Sequence, residues 1–163
     1  MPITTRPATP ADAAAIAKIY NQGIEDRIAT FETRPRTPEE ITRWFDGVHP
    51  VVVAEEAGQV VGFASTSSYR ARDCYSKIAE FSVYVERDHR GRRVGREALA
   101  ALIDESRKAG LHKLVSRIFP ENVASRAACR AAGFREVGVY KEHGQLEGEW
   151  KDCVIVERLV GQI

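Results

Sequence analysis

Apolar residues recur along this chain in two rhythms, every second residue and every third or fourth, and the switches between them mark out the elements. Residues 3–6 read as a short opening strand. Thr9-Pro10-Ala11-Asp12 follows as a helix start, with a capping threonine, a proline suited to the first turn and an aspartate at the positive end of the helix dipole. Ala13, Ile16, Ala17, Tyr20 and Ile24 continue it at helical spacing. Thr37-Pro38-Glu39-Glu40 repeats the start signal as a capping box. Ile41, Trp44, Phe45 and Val48 form the stripe to be buried there, and Pro50 is the stop. Residues 51–55 and 59–67 predict two strands joined at Ala57-Gly58. Residues 78–85 predict another strand. Residues 94–108 predict a helix with Val94, Ala98, Leu102 and Ile103 on one face and Gly110 as its C-terminal stop. A strand at 113–118, an alanine-rich helix capped by Asn122 and ending at Gly133, and strands at 136–140 and 152–159 complete the chain.

The resulting order, β-α-α-β-β-β-α-β-α-β-β, predicts an α/β (α+β) fold: a mixed central sheet with helices on both faces. The connection from strand 78–85 through helix 94–108 to strand 113–118 is expected to be a right-handed parallel crossover. With no repeat, low-complexity tract or linker, residues 1–163 read as one domain. Hydrophobic residues at 44% are enough for a core, and a net charge of +1 gives no whole-protein case for nucleic acid or membrane binding. No apolar run approaches the roughly 18 residues of a membrane span, and no signal peptide is expected. Three widely spaced cysteines, Cys74, Cys129 and Cys153, argue for a reducing, cytoplasmic setting rather than a disulfide framework. The four histidines show no metal-ligand spacing, so no metal is expected.

Candidate chemistry concentrates where the apolar strand meets a basic loop. Arg90-Gly91-Arg92-Arg93-Val94-Gly95 lies between a strand end and a helix start, with His89 just before it. A helix N-terminus leaves about four backbone N–H groups unpaired and favours anions, and two glycines let a diphosphate come close. The spacing is neither a Walker loop nor a dinucleotide fingerprint. Without its context the same hexapeptide also reads as a solvated basic turn. In the strand before it, period two places Glu80, Ser82 and Tyr84 on one face. Glu80 then reads either as a partly desolvated carboxylate fit for base work or as an exposed glutamate on the wetter face.

The stretch from Glu80 to Phe134 resembles the core of the GCN5-related N-acetyltransferase (GNAT) superfamily, whose loop reads Arg/Gln-x-x-Gly-x-Gly/Ala. Arg93 stands where that pattern has its middle glycine. A closer resemblance, to the phosphinothricin acetyltransferase branch, runs through nearly the whole chain. It rests on Ile19-Tyr20-Asn21, Thr30-Phe31-Glu32-Thr33, Thr37-Pro38-Glu39-Glu40, Tyr69 to Tyr75, Glu80 to Val85, Asn122 to Phe134 and Gly148-Glu149-Trp150-Lys151-Asp152.

The resemblance implies acetyl-CoA as co-substrate, a small amino-acid-like amine as acceptor and a homodimer. It implies Glu80 as general base. It also implies that the backbone of Val83, Tyr84 and Val85, the loop Arg90, Gly91, Arg92, Arg93, Val94 and Gly95, and the side chain of Asn122 hold the co-substrate. Arg72 and Tyr75 match the branch's acceptor-binding Arg-x-x-Tyr, and Phe31 is implied as an apolar pocket wall. Cys129 falls where the superfamily often has a proton-donating tyrosine, and in an alanine-rich helix it reads as a packing residue. Alternative readings are an acetyltransferase for a protein N-terminus, polyamine or antibiotic amine, and a non-catalytic acyl-CoA-binding module.

Overall fold

The computed structural model describes residues 2–161. Its elements are β1 (Ile3–Pro7), α1 (Ala13–Asp26), α2 (Pro38–Thr42), β2 (Val51–Glu56), β3 (Gln59–Ser68), β4 (Ile78–Val85), α3 (Val94–Lys108), β5 (Lys113–Ile118), α4 (Val123–Ala131), β6 (Arg135–Leu146) and β7 (Glu149–Leu159). The strands form one seven-stranded sheet in the order β1-β2-β3-β4-β5-β7-β6. All neighbours are antiparallel except β4 and β5, which run parallel on either side of α3.

Strand alternation divides the core between two faces. Val52, Ala54, Ala79 and Phe81 join Val94, Ala98, Leu99 and Leu102 of α3 in one cluster. Val51, Val53, Phe63 and Tyr84 join Ala13, Ile16 and Ile19 of α1 and Ile41 of α2 in the other. Two close approaches set the helices. A Cβ on Gly23 would lie 2.7 Å from the Tyr84 ring, so α1 rests on β4 through a glycine. A Cβ on Gly62 would lie 2.6 Å from Val94 Cγ1, so the first turn of α3 sits directly on β3. The β2–β3 register shifts between Ala54 and Glu55, and this bulge turns Val61 and Gly62 together toward α3.

The hairpin at Ala57-Gly58 has both residues at positive φ, 52° and 78°, as a two-residue turn between right-twisted strands requires. At the entry to α1 the Asp12 carboxylate accepts from Thr9 N at 2.8 Å and from both terminal nitrogens of Arg6 at 2.9 Å, joining β1 to the helix start.

Two expected elements differ. The second helix starts at its capping box, Glu40 N donating to Thr37 Oγ1 at 3.3 Å, but ends at Thr42. Asp46 Oδ1 accepts from the N–H groups of Val48 and His49 at 2.8 Å, and Gly47 turns at φ 77°. This turn competes with the helix and leaves Val48, expected in the buried stripe, 58% exposed. The last hairpin is longer than the strands expected at 136–140 and 152–159. Its intervening residues are mostly polar and exposed, so they carry no alternation to read. Backbone pairing forms them, around a Glu147-Gly148 turn at φ 51° and 82°. The ladder slips between Tyr140 and Gly144, where Glu142 N donates to Asp152 Oδ1 at 2.7 Å.

Candidate active site

β4 and β5 pair at only three positions, Ile78–Lys113, Ala79–Leu114 and Glu80–Val115. Beyond Glu80, β4 keeps its partner β3 as far as Val85, and β5 keeps β7 as far as Ile118. The strands therefore splay with one backbone edge of each turned inward. Ser116 Oγ donates to Phe81 O at 2.9 Å where they part. A cavity of about 500 Å³ opens from this fork, within the ordinary range for a ligand cleft.

Val83, Tyr84, Val85, Arg90, Gly91, Arg93, Val94, Gly95 and Asn122 all line that cavity. Val83 and Val85 pack their side chains toward α3 while Tyr84 buries its ring on the opposite face. Burial pushes the Tyr84 hydroxyl well above its ordinary range, which suits a core ring rather than a proton donor. The strand thus has core side chains and a backbone facing the cleft.

The loop reaches α3 through Gly91 at φ 81° and Arg93 at φ 67°, ψ 8°. Arg93 occupies the left-handed region where the related pattern has glycine, at a cost of about 1–2 kcal/mol. As N-cap it makes no side-chain hydrogen bond to the helix. The first N–H groups of α3 therefore meet the cleft without a side-chain cap, with the helix dipole behind them.

The loop's cations divide into two sets. Arg90 Nη1 donates to Asp26 Oδ2 at 2.7 Å, and Arg92 Nη1 lies 3.6 Å from Glu56 Oε2. His89 stands between Glu86 at 2.6 Å and Glu56 at 3.1 Å. Arg87, with Arg90, holds the Asp26 carboxyl below the usual carboxylate range. These contacts anchor the loop to α1 and β2, and they turn Arg92 away from the cavity lining. Arg93 and Arg96 have no carboxylate partner among the described residues, and both line the cleft. Arg96 was missed from sequence; its signal is a position two residues into the helix that the loop opens.

Asn122 caps α4, its Oδ1 accepting from Ser125 N at 3.2 Å, and its Nδ2 donates to Ile28 O at 3.3 Å. Cys129 also lines the cleft, and burial pushes its thiol up to about 12. The uncapped helix, the glycine turn and the unpaired strand edges together fit a diphosphate followed by an amide-bearing arm.

Glu80 lies on the sheet face expected for it but outside the lining of the large cavity. It lines a separate recess of about 50 Å³ with Tyr69, Arg70, Arg117, Tyr140 and His143. Arg117 Nη2 lies 3.2 Å from both carboxylate oxygens, and Arg70 Nη1 lies 3.8 Å from Oε1. Ser116 and Arg117 line both spaces and so connect them.

The expected acceptor residues are less concentrated. Phe31 packs edge-on against Phe119 at 4.9 Å and over Gly144, where a Cβ would lie 2.8 Å from its ring. Arg72 is an exposed residue capping the turn Asp73–Tyr75, and Tyr75 meets Tyr69 edge-on at 5.5 Å. Phe31, Arg72 and Tyr75 line neither cavity. Arg117 was not singled out from sequence, although parallel pairing of β4 with β5 places Val115 and Arg117 on the face of Glu80. Among the described residues no group of three His, Cys, Asp or Glu side chains is placed to hold a metal, and no helix is long and apolar enough to cross a membrane.

Comparison with known proteins points to one family. Residues 3–135 match the acetyltransferase (GNAT) domain. An L-amino acid N-acyltransferase, MnaT, of Escherichia coli is 35% identical over 95% of this chain and 92% of its own. An L-methionine sulfoximine/L-methionine sulfone acetyltransferase of Salmonella typhimurium is 34% identical over 95% and 93%. A phosphinothricin N-acetyltransferase of Streptomyces coelicolor is 33% identical over 96% and 95%. Among solved structures, the yncA acetyltransferase of Salmonella typhimurium with its cofactor acetyl-CoA superposes with a TM-score of 0.92 at 32% identity, covering 100% of this chain and 96% of that one. A ribosomal-protein-alanine N-acetyltransferase of Brucella melitensis gives 0.90 at 37% identity, covering 96% and 99%. The splayed sheet, the uncapped helix behind a glycine turn and these matches agree: the chain belongs to the GNAT family of N-acetyltransferases.

Proposed function

We propose that this chain transfers the acetyl group of acetyl-CoA to the amine of a small amino-acid-like acceptor, of the phosphinothricin, methionine sulfone or methionine sulfoximine class. The observation that carries the reading is the fork between β4 and β5, with the uncapped start of α3 at one end and the Glu80 recess beside it. Acetyl-CoA supplies the activated thioester carbonyl. The backbone N–H groups of Gly91 to Gly95, with Arg93 and Arg96, hold its diphosphate, and the inner edge of Val83 to Val85 pairs with its arm. Asn122 adds a polar contact from the head of α4. Glu80 takes the proton from the acceptor ammonium, directly or through water. Phe31, Arg72 and Tyr75 belong to the acceptor side, where Arg72 would meet an acidic group.

The acting form is a homodimer in the cytoplasm. The branch resemblance supports the dimer, as do Val137, Val139, Tyr140 and Trp150, exposed on the last hairpin. Three unbridged thiols support a reducing compartment.

A second reading, acetylation of a protein N-terminus, draws on the similarity to the Brucella melitensis protein. Against it stand Arg70 and Arg117 at the recess. They suit a free carboxylate, and a peptide carries an amide at that carbon.

Thiol release from acetyl-CoA, measured across amino acids, sulfones, sulfoximines, polyamines and N-terminal peptides, tests both. Release with the small amino-acid-like acceptors is expected. Peptides as the best acceptors would establish the second reading, and CoA binding without release from any amine would make the chain a binding module. In the same assay Glu80→Gln is expected to lower turnover by roughly 10²–10⁴-fold with CoA affinity retained. Turnover unchanged across pH would remove Glu80 from the role of base.

A further inference from the structure

The Glu80 recess has a feature that the proposed base role leaves unexplained. A base must meet the ammonium it deprotonates at hydrogen-bond distance, and a guanidinium already lying against both carboxylate oxygens stands in that place. Glu80 is held by two of them, Arg117 at 3.2 Å and Arg70 at 3.8 Å. The recess therefore carries two fixed positive charges against one negative, and no other carboxylate lines it.

The way Arg117 makes its contact is equally uneven. Both hydrogen bonds to Glu80 come from Nη2, while Nε and Nη1 have no hydrogen-bond partner among the described residues. A guanidinium presents its donors as a fork matched to a carboxylate, and this one uses one tine on both oxygens. The side chain is 44% exposed and lies where the small recess meets the large cleft. Arg70, by contrast, is committed to Tyr69, with its guanidinium 4.3 Å over the ring and Nη1 donating to Tyr69 O at 2.9 Å.

We propose that Arg117 is the residue that selects acceptors bearing a free α-carboxylate, binding that group through the unused edge of its fork and in doing so releasing Glu80 for the acceptor's ammonium. The arrangement matches a zwitterion: one cation for the carboxylate, one anion for the ammonium, on adjacent strands of one sheet face. The ammonium proton passes to the Glu80 carboxylate, and the freed nitrogen lone pair would attack the thioester carbonyl of acetyl-CoA, the new C–N bond forming as the C–S bond breaks and the departing CoA thiolate taking a proton from water. An acceptor without a carboxylate leaves the Arg117–Glu80 pair closed. This inference rests on the acetyl-transfer reading above and adds the part of the acceptor that is recognised.

The test compares each acceptor with its own carboxamide, methionine sulfone against methionine sulfone amide, in the wild type, Arg117→Ala and Arg117→Lys. The wild type is expected to favour the acid. Arg117→Ala is expected to lower kcat/KM for the acid by roughly 100-fold, mostly through KM, and to leave the amide unchanged or improved. Arg117→Lys should recover part of the acid activity, since it restores charge without the fork. Cooperative thermal unfolding near the wild-type midpoint shows that the variants fold, and the comparison of acid with amide within each variant cancels any change in CoA binding. Equal losses for acid and amide in Arg117→Ala would overturn the proposal and reduce Arg117 to a support for Glu80, as would no loss for either. A wild type that acetylates peptides but no free amino acid would instead overturn the acceptor reading beneath it.

Discussion

At the scale of single residues, Cys129 shows how burial decides a role. Its thiol lines the cleft but is raised by burial from 9.0 to about 12, so it would give up its proton uphill to a leaving thiolate of ordinary basicity. Packing is the role that remains, and it is the one its alanine-rich neighbours suggest in the sequence. The same shift has a consequence for stability. The folded state holds this proton more tightly than the unfolded chain, so the contribution is complete below about pH 9 and declines as pH rises toward about 12. Cys129→Ala should therefore flatten the alkaline fall in stability by up to about 1.4 kcal/mol per pH unit, with turnover near the wild-type value at neutral pH. Urea unfolding at about pH 8 and about pH 10.5 measures this, and parallel slopes in both proteins would refute it. Glu80 was legible as a candidate because it interrupts an apolar strand. Its ion partners were not, since Arg117 lies 37 residues away in sequence.

At the scale of elements, the join between β4 and α3 combines a sequence rule with a violation of it. Strand, glycine turn and helix follow the expected order, yet Arg93 takes the left-handed conformation that glycine adopts without steric cost. The functional part of the position is its N–H, which arginine keeps, together with a guanidinium that no carboxylate among the described residues neutralises. Replacing Arg93 by Ala and by Gly separates the two contributions, because both lose the charge and only glycine relieves the backbone. Arg93→Gly is expected to be more stable than Arg93→Ala by about 1 kcal/mol in denaturant unfolding. Both should bind CoA a few-fold more weakly, by about 1 kcal/mol. Equal stability of the two variants would mean that the turn is unstrained. The shortened α2 has a related lesson: the capping box fixed its start, but a local side-chain turn at Asp46 fixed its end.

At the scale of the whole molecule, one sheet carries two cores, and the site lies where the sheet divides. Helices α1 and α2 close one face, and α3 and α4 close the other. The parting of β4 from β5 leaves backbone for a ligand without exposing a continuous free edge. The outer strand β6 is different, since nearly all of it is exposed and it displays Val137, Val139 and Tyr140. A second copy is the expected partner, so sedimentation equilibrium should give twice the 18.1 kDa chain mass. A single species at the chain mass, at concentrations where the protein is active, would exclude the homodimer.

Element order, the mixed sheet, the helix starts and the basic loop were written in the sequence itself, because periodicity, capping residues and glycine turns act over a few neighbours. The polar half of the last hairpin was not, because its pairing is made by backbone groups that no side-chain pattern reports. Tertiary structure alone decided which arginines of the loop are free and which are tied to Asp26 and Glu56. It also decided that Glu80 occupies its own recess beside the cleft, and that Arg117 stands between the two. Those are distances between residues remote along the chain, set by the register of β4 against β5 and by the glycines that let helices approach the sheet.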